Sequence, residues 1–263
     1  MNTYIMESEC ENNRLAGKVN PLKFIEKYID KHISAQSSIL DIGCGPVVIA
    51  NQIAKSNPDV KVIGIDMSAN RLAQACKSNP FGNNLSIIAG NVYYLPFQDN
   101  SFNFIYSRFL FEYLKYPQNA LTEMKRVCKR GGIVMVQDID GQFSNNYPED
   151  SDILQYWQKI FTELKKTGFD PDVGRKLFSF FKMEGFKNIN VNLESYHLIA
   201  GKIAQADEYY WKKKLLAVNN NFPKFTELKH SDVSDITGRY LDYLQNEDTL
   251  SFSNLFTVYG VKN

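Results

Sequence analysis

Cysteine is scarce in this 263-residue chain, and the four present (Cys10, Cys44, Cys76, Cys128) form no C-x-x-C pair. Histidine occurs only three times, never in a cluster. Both facts count against a disulfide framework or a structural metal site, so no metal is expected. Scattered free thiols suit a reducing cytoplasm. Charge of one sign is also lacking, since 30 Lys and Arg face 29 Asp and Glu for a net +1. A protein that grips phosphate backbones carries a clear basic excess, so no nucleic-acid partner is expected. The local basic clusters, Lys125, Arg126, Lys129 and Arg130 and then Lys212 to Lys214, read as solvated helix faces. No run approaches the ~20 apolar residues of a membrane helix. The first residues show neither a basic n-region nor an apolar h-region. A cytoplasmic protein without a membrane partner is the expectation. Repeats and low-complexity stretches are absent as well.

What is present begins at Ser38. Residues 38–42 (SILDI) read as a buried strand, Gly43-Cys44-Gly45 as a turn, and the stretch from Pro46 to Ser56 as a helix. A second strand, 61–65, ends at Asp66, 21 positions after Gly45. Gly43 and Gly45 let the backbone turn sharply and approach a ligand. The helix start points unpaired N–H groups at the same place. An acid at this spacing is where an open α/β sheet holds a ribose. Strands at 85–89, 103–107 and 133–137 alternate with helices, the last at 117–129 and ended by Gly131-Gly132. That alternation predicts a parallel sheet covered on both faces. Beyond it, helical patterns at 149–166, 172–183, 202–217 and 232–245 surround strands at 188–195 and 252–261.

A nicotinamide fingerprint G-x-G-x-x-G/A is not met, because Val48 stands at its third position. Leu40-Asp-Ile-Gly-Cys-Gly45 instead resembles the first motif, L-D-x-G-x-G-x-G, of class I S-adenosylmethionine-dependent methyltransferases. Ala89-Gly-Asn-Val-Tyr-Tyr-Leu-Pro-Phe-Gln-Asp-Asn-Ser-Phe-Asn103 is similar to that family's G-D-A-x-x-L-P-F-x-D-x-S-F-D segment. Arg126-Val-Cys-Lys-Arg-Gly-Gly132 resembles R-V-L-K-P-G-G. Three departures are plain: Val47 replaces the last glycine of the first motif, Asn91 an aspartate and Arg130 a proline. Valine adopts a positive φ only at a cost, so a tighter turn than the family's is expected at Val47.

The resemblance implies a Rossmann-like fold of seven strands, mostly parallel, with an antiparallel last strand beside strand five and helices on both faces. It implies S-adenosylmethionine as cofactor, held by Asp41, Gly43, Cys44 and Gly45. Asp66 takes the ribose hydroxyls, Met67 the adenine face, Asn91 and Val92 the adenine edge, and the Ser107 carbonyl the ammonium. Tyr4 and Arg14, in a leader similar to the family's tyrosine and E-x-x-R-L run, are expected to close over the carboxylate. Residues 1–263 then form a single methyltransferase domain, with 1–20 covering the cofactor and helical caps at 140–184 and 199–246 over the substrate.

Methyl transfer from a sulfonium needs alignment more than acid–base chemistry. A base helps only where the acceptor must lose a proton. Asp138, Asp140 and His197 are the candidates, with Glu112 and Tyr147 behind them. The abundant cap aromatics fit a small, partly apolar acceptor methylated on oxygen or nitrogen. The alternatives are a peptide, protein or RNA acceptor, a non-catalytic cofactor-binding or scaffold protein, and a nicotinamide dehydrogenase.

Overall fold

The computed structural model describes residue 17, residues 19–78 and residues 80–263. Seven strands form one sheet: β1 (Ser38–Ile42), β2 (Lys61–Asp66), β3 (Leu85–Ala89), β4 (Phe102–Arg108), β5 (Cys128–Tyr147), β6 (Lys187–Ala200) and β7 (Leu250–Val261). Their order is β3-β2-β1-β4-β5-β7-β6. The first five pair in parallel, and β7 runs antiparallel between β5 and β6, as the sequence predicts. The α-helices whose bounds fall within the described residues are α1 (Pro21–Tyr28), α2 (Val48–Ser56), α3 (Ala69–Ser78), α4 (Pro117–Val127), α5 (Ser151–Leu164), α6 (Leu177–Met183), α7 (Gln205–Asn221) and α8 (His230–Gln245). The chain leaves β1 towards β3, then returns to β4 on the other side. This makes the carboxyl ends of β1 and β4 the switch point, where such sheets bind ligands.

Local chemistry sets these boundaries. Asn20 caps α1 by accepting from the Lys23 N–H at 3.1 Å, with Pro21 behind it. Asp150 caps α5 through the N–H groups of Asp152 and Ile153. Arg239 of α8 binds the same carboxylate, so one residue starts one helix and ties it to another. The central strands are buried on both faces, and their runs of Ile, Leu and Val need no alternation.

β5 departs from expectation. It starts at Cys128, so Gly131-Gly132 lie inside a strand with a bulge rather than ending the helix. The last carbonyls of α4 are satisfied from elsewhere. Ser101 N–H donates to the Val127 carbonyl at 2.8 Å, and the Lys262 ammonium donates to those of Arg126 and Cys128. With its carbonyls paired, the helix needs no glycine cap. β5 also runs on to Tyr147 through a second bulge between Asp140 and Asn145.

Two cores flank the sheet, built on Ile42, Ile105 and Met124 on one side and Ile39, Ile53 and Tyr106 on the other. A third joins Phe143 of β5 to Trp157, Trp211 and Tyr240 of α5, α7 and α8. Segments 140–184 and 199–246 supply α5, α7 and α8 to this third core, whereas α6, also within 140–184, packs Leu177 and Phe181 onto the sheet beside Ile105 and Met124. No helix of the described residues is long and apolar enough to cross a membrane.

Candidate active site

A cavity of 1220 Å³ opens at the carboxyl edge of the sheet. It exceeds the roughly 300–1,000 Å³ usual for a small-ligand pocket. Asp41, Gly43, Cys44, Gly45, Asp66, Met67, Asn91 and Val92 all line it, as does His197. Tyr4 and Arg14 lie outside the described residues, as does most of the covering segment 1–20.

The turn after β1 is fixed by its own backbone. Gly43 and Cys44 N–H groups donate to the Ile65 carbonyl of β2, at 2.8 and 3.1 Å. The Cys44 side chain packs back onto Gly64, where any Cβ would meet its Sγ at 2.9 Å. A glycine in β2 therefore admits the thiol, which burial keeps protonated, with its pKa well above the usual range. Gly45 has φ +51°, and a Cβ there would find only Arg71 Cδ and the Gly43 carbonyl, near 3.8–3.9 Å. Among the described residues, nothing else stands within 4 Å of that position.

Val47 contradicts the expectation. It caps α2 at φ +63°, ψ +14°, in the left-handed region, and no side chain caps this helix. The turn has the shape a glycine gives, imposed on a β-branched residue buried in the core at 1% exposure. Packing against the sheet holds the strain, and strain of this kind collects at functional turns. Among the described residues, no side chain caps the N–H groups of the first turn of α2 beside the cavity.

Asp66 is held from three sides. Its Oδ2 accepts from Gly45 N–H at 2.8 Å and its Oδ1 from Ser68 N–H at 2.9 Å. The Arg71 guanidinium stands 3.7 Å from Oδ2. Each carboxylate oxygen keeps a second lone pair for a hydroxyl. Asp41 is different. It accepts from the Tyr106 hydroxyl at 2.7 Å, across the register pair that joins β1 to β4. Burial, helped by the nearby Asp66 charge and opposed by the Tyr106 bond, pushes its pKa up to about 7. Asn91 folds its carbonyl oxygen onto the Tyr93 N–H at 3.0 Å. Met67 is half-exposed at the cavity wall, not in the core. Ser107 is fully buried between β1 and β5 and does not line the cavity.

The structure does not bring the acids Asp138 and Asp140, which lie within β5 rather than after it, to the cavity. Asp138, fully buried, takes Phe111 N–H at 2.7 Å, Glu112 N–H at 3.3 Å and its own neighbour's N–H at 2.8 Å. It shapes the turn after β4. Burial first, then the Glu112 charge, hold its pKa well above the carboxylate range. Asp140 is bidentate to Arg175 Nε and Nη2 at 2.8 and 2.7 Å, anchoring the segment before α6. His197 alone of the three faces the cavity. It sits at φ +53° where the β6–β7 register shifts between Tyr196 and Ile199. Such a bulge re-aims a side chain.

Three lining residues were given no role from the sequence, although Arg108 falls on the edge stretch Ser107 to Phe109 where ligands are expected. Arg71 was hidden on a helix, although its spacing from Asp66 is short. Arg108 follows Ser107 at the switch point, a position that flags a ligand contact. Lys214 belongs to a cluster expected to be solvated, yet it is buried, with its ammonium 4.7 Å from the Trp211 ring centre and 5.0 Å from that of Phe143. Arg126, expected on a solvated face, binds Glu123, Asp99 and the Phe97 and Leu95 carbonyls. It staples the loop that follows Asn91.

A family profile described as a methyltransferase domain matches residues 40–136. An uncharacterized methyltransferase of Schizosaccharomyces pombe is 33% identical over 161 residues, 57% of this chain and 56% of that one. A demethylmenaquinone methyltransferase of Staphylococcus haemolyticus is 26% identical over 175 residues, 62% and 73% of the two chains. The chain thus spans little more than half the length of the first of these relatives. Among solved structures, phosphoethanolamine N-methyltransferase 2 of Haemonchus contortus, in complex with S-adenosyl-L-methionine, shares the fold. Its TM-score is 0.57 at 16% identity, over 92% of this chain and 52% of that one.

Proposed function

The chain belongs to the class I S-adenosylmethionine-dependent methyltransferases, and from that premise we propose that it methylates a small organic acceptor on oxygen or nitrogen beneath its helical cap. One observation carries the reading: a single 1220 Å³ cavity takes in both the glycine turn with Asp66 and the cap residues Phe143, Phe169, Lys214 and Phe222. A volume above the usual pocket range suits two ligands side by side. A small acceptor also agrees with the demethylmenaquinone methyltransferase among the relatives.

The residues fit the cofactor. The open Gly45 turn, the side-chain-free start of α2, the Asp66 carboxylate and the half-exposed Met67 thioether answer a charged nucleoside's chain, sugar and base. When bound, S-adenosylmethionine supplies a methyl group on a sulfonium, already a strong electrophile. The protein's part is to orient and to exclude water. Asp66, itself fixed by Gly45 and Ser68, orients the sugar hydroxyls. The aromatic cap removes water, so a nucleophile on the acceptor meets the methyl undiluted. Of Asp138, Asp140 and His197, His197 is the one at the cavity and the candidate to take a proton from a hydroxyl acceptor. Asp138 and Asp140 act as positioning residues for the turn after β4 and the segment before α6. Residues 140–184 and 199–246 serve as the cap, and Tyr4 and Arg14 as the cofactor's cover.

The test is transfer of a tritiated methyl from S-adenosylmethionine to a panel of small phenols, carboxylates and amines, run beside a peptide and an RNA pool. Label in a small acceptor is the expected result. Label confined to peptide or RNA would move the substrate class, and tight cofactor binding with no transfer to any of them would favour a scaffold.

A further inference from the structure

The two edges of the sheet are built differently. β3 has five residues, and a short edge is a poor template for another strand. β6 has 14, and among the described residues it pairs with β7 on one side and with no strand on the other. Its pairing with β7 keeps one register from Asn190 to Tyr196. The register shifts on either side of that run, between Lys187 and Asn190 and between Tyr196 and Ile199. Each shift holds a residue in the left-handed region, Asn188 at φ +49° and His197 at φ +53°. Bulges therefore bound the run and leave its middle straight.

Natural edges are guarded by proline, by a central bulge or by an unanswered charge. The run Asn190-Val-Asn-Leu-Glu-Ser-Tyr196 has no proline and a single charge, Glu194. That carboxylate accepts from the Lys27 ammonium and the Tyr28 hydroxyl of α1. Its charge is answered within the chain, so two copies of the run can meet without net repulsion. The faces of the run are sorted. Asn190, Asn192 and Glu194 lie on the face of their register partners Tyr259, Thr257 and Leu255, and Val191 and Leu193 on that of Val258 and Phe256. On this second face α6 seats Phe181 against Gly260 of β7, where a Cβ would meet the ring at 2.7 Å. The helix leaves β6 open: Val191 is 40% exposed and Leu193 58%. Phe178, 45% exposed, is on the flank of α6 turned from α4, since Gln118 of α4 holds the other flank through the Phe180 carbonyl and Glu184. An apolar strip thus borders the unpaired backbone.

We propose that two copies of this chain pair antiparallel through β6, about a twofold axis at Asn192, joining their sheets into one. The run's own sequence names the occupant. In an antiparallel pair, directly opposed residues share a face, and the twofold sets each residue opposite the one equally far beyond Asn192. Val191 then meets the partner's Leu193, and Leu193 the partner's Val191, giving two apolar pairs. Asn190 meets the partner's Glu194 likewise, amide donating to carboxylate, and Asn192 meets the partner's Asn192, amide to amide. With the axis at Leu193, Val191 would face a serine. With the axis at Val191, the pairing would run into the bulge at Asn188. A twofold contact of this kind is closed, so it uses up the edge and stops at two copies.

Sedimentation velocity on the full chain tests it. The wild-type chain forms dimers with a dissociation constant of about 1–100 µM, as suits a small interface. Val191→Lys and Leu193→Glu each weaken dimerisation about tenfold or more, because one substitution strikes both apolar pairs. Both positions are exposed, so the variants keep the wild-type circular dichroism. Mixing the two variants in equal amounts restores dimers: the new lysine faces the new glutamate, and the second apolar pair is intact. A loss of fold would give no such rescue, and neither would a different register. A wild-type chain that stays monomeric up to about 100 µM overturns the proposal. So do variants that dimerise as tightly as wild type, or a mixture no more dimeric than its parts.

Discussion

Replacing Val47 by alanine and by glycine gives an inverted order of stability. At an ordinary position glycine is worse than alanine by about 0.5–1 kcal/mol, because it loses more freedom on folding. Val47 is at φ +63°, where a side chain with a Cβ pays roughly 1–2 kcal/mol. It is also buried at 1% exposure in the core beneath α2. Alanine removes two methyl groups, at about 0.8 kcal/mol each, and leaves most of the backbone cost in place. The alanine chain is therefore less stable than wild type by roughly 2 kcal/mol, with a small added cavity penalty. Glycine loses one more carbon but releases the left-handed strain, so it matches or exceeds alanine by about 0–1 kcal/mol. Urea unfolding followed by circular dichroism reads the difference directly. In a thermal melt it amounts to at most about 2–4 °C. A glycine chain less stable than the alanine chain by ~0.5 kcal/mol or more would refute the left-handed turn at Val47.

Other outcomes follow from named contacts. Asp41, with an ordinary pKa of 3.8 unfolded and about 7 folded, binds more protons in the native state between those values. Its contribution to stability is fully present below pH 4 and is lost as pH rises through 7, at a slope of up to about 1.4 kcal/mol per pH unit. Asp41→Asn flattens the pH 4–7 limb of a stability profile, and an unchanged limb contradicts the buried-acid account. Arg126→Ala cuts five hydrogen bonds from one guanidinium to Glu123, Asp99 and the Leu95 and Phe97 carbonyls. It lowers stability by about 2–4 kcal/mol, and Arg126→Lys restores less than half, because an ammonium cannot span that set. Equal melting of the alanine and wild-type chains would show that the staple does not hold in solution. Asp140→Asn breaks the Arg175 clamp and speeds proteolysis between 170 and 176 without altering cofactor affinity. Weakened cofactor binding in that variant would mean that this carboxylate reaches the ligand after all.

The alternating half of the fold was legible because its first four strands are short runs, largely buried except at the edge strand β3, punctuated by Asn-Pro-Asp or Gly turns. The boundaries of β2, β3 and β4 lie within a residue of the pattern. β5 was not legible, because its first residues owe their extended form to Ser101 and Lys262, which are distant in sequence. The part of the cavity wall from Asp41 to Gly45, with Asp66, Met67, Asn91 and Val92, was readable since motif residues sit at strand ends, where the topology gathers them. Asp138 and Asp140 looked like chemistry by position alone; their bonds to backbone N–H groups and to Arg175 depend on segments that no local pattern announces. Lys214 and Arg126 carry the same lesson from the other side. A basic cluster looks solvated until packing shows which of its members the fold has turned inward.

The clasp of a sugar by the Asp66 carboxylate is the premise beneath the whole account. Titrating S-adenosylhomocysteine into the wild-type chain and into Asp66→Asn measures it. One saturable site, weakened about tenfold to a hundredfold by the substitution, is the expected outcome. A wild-type chain that takes up no nucleoside, or an asparagine chain that binds it just as tightly, contradicts it.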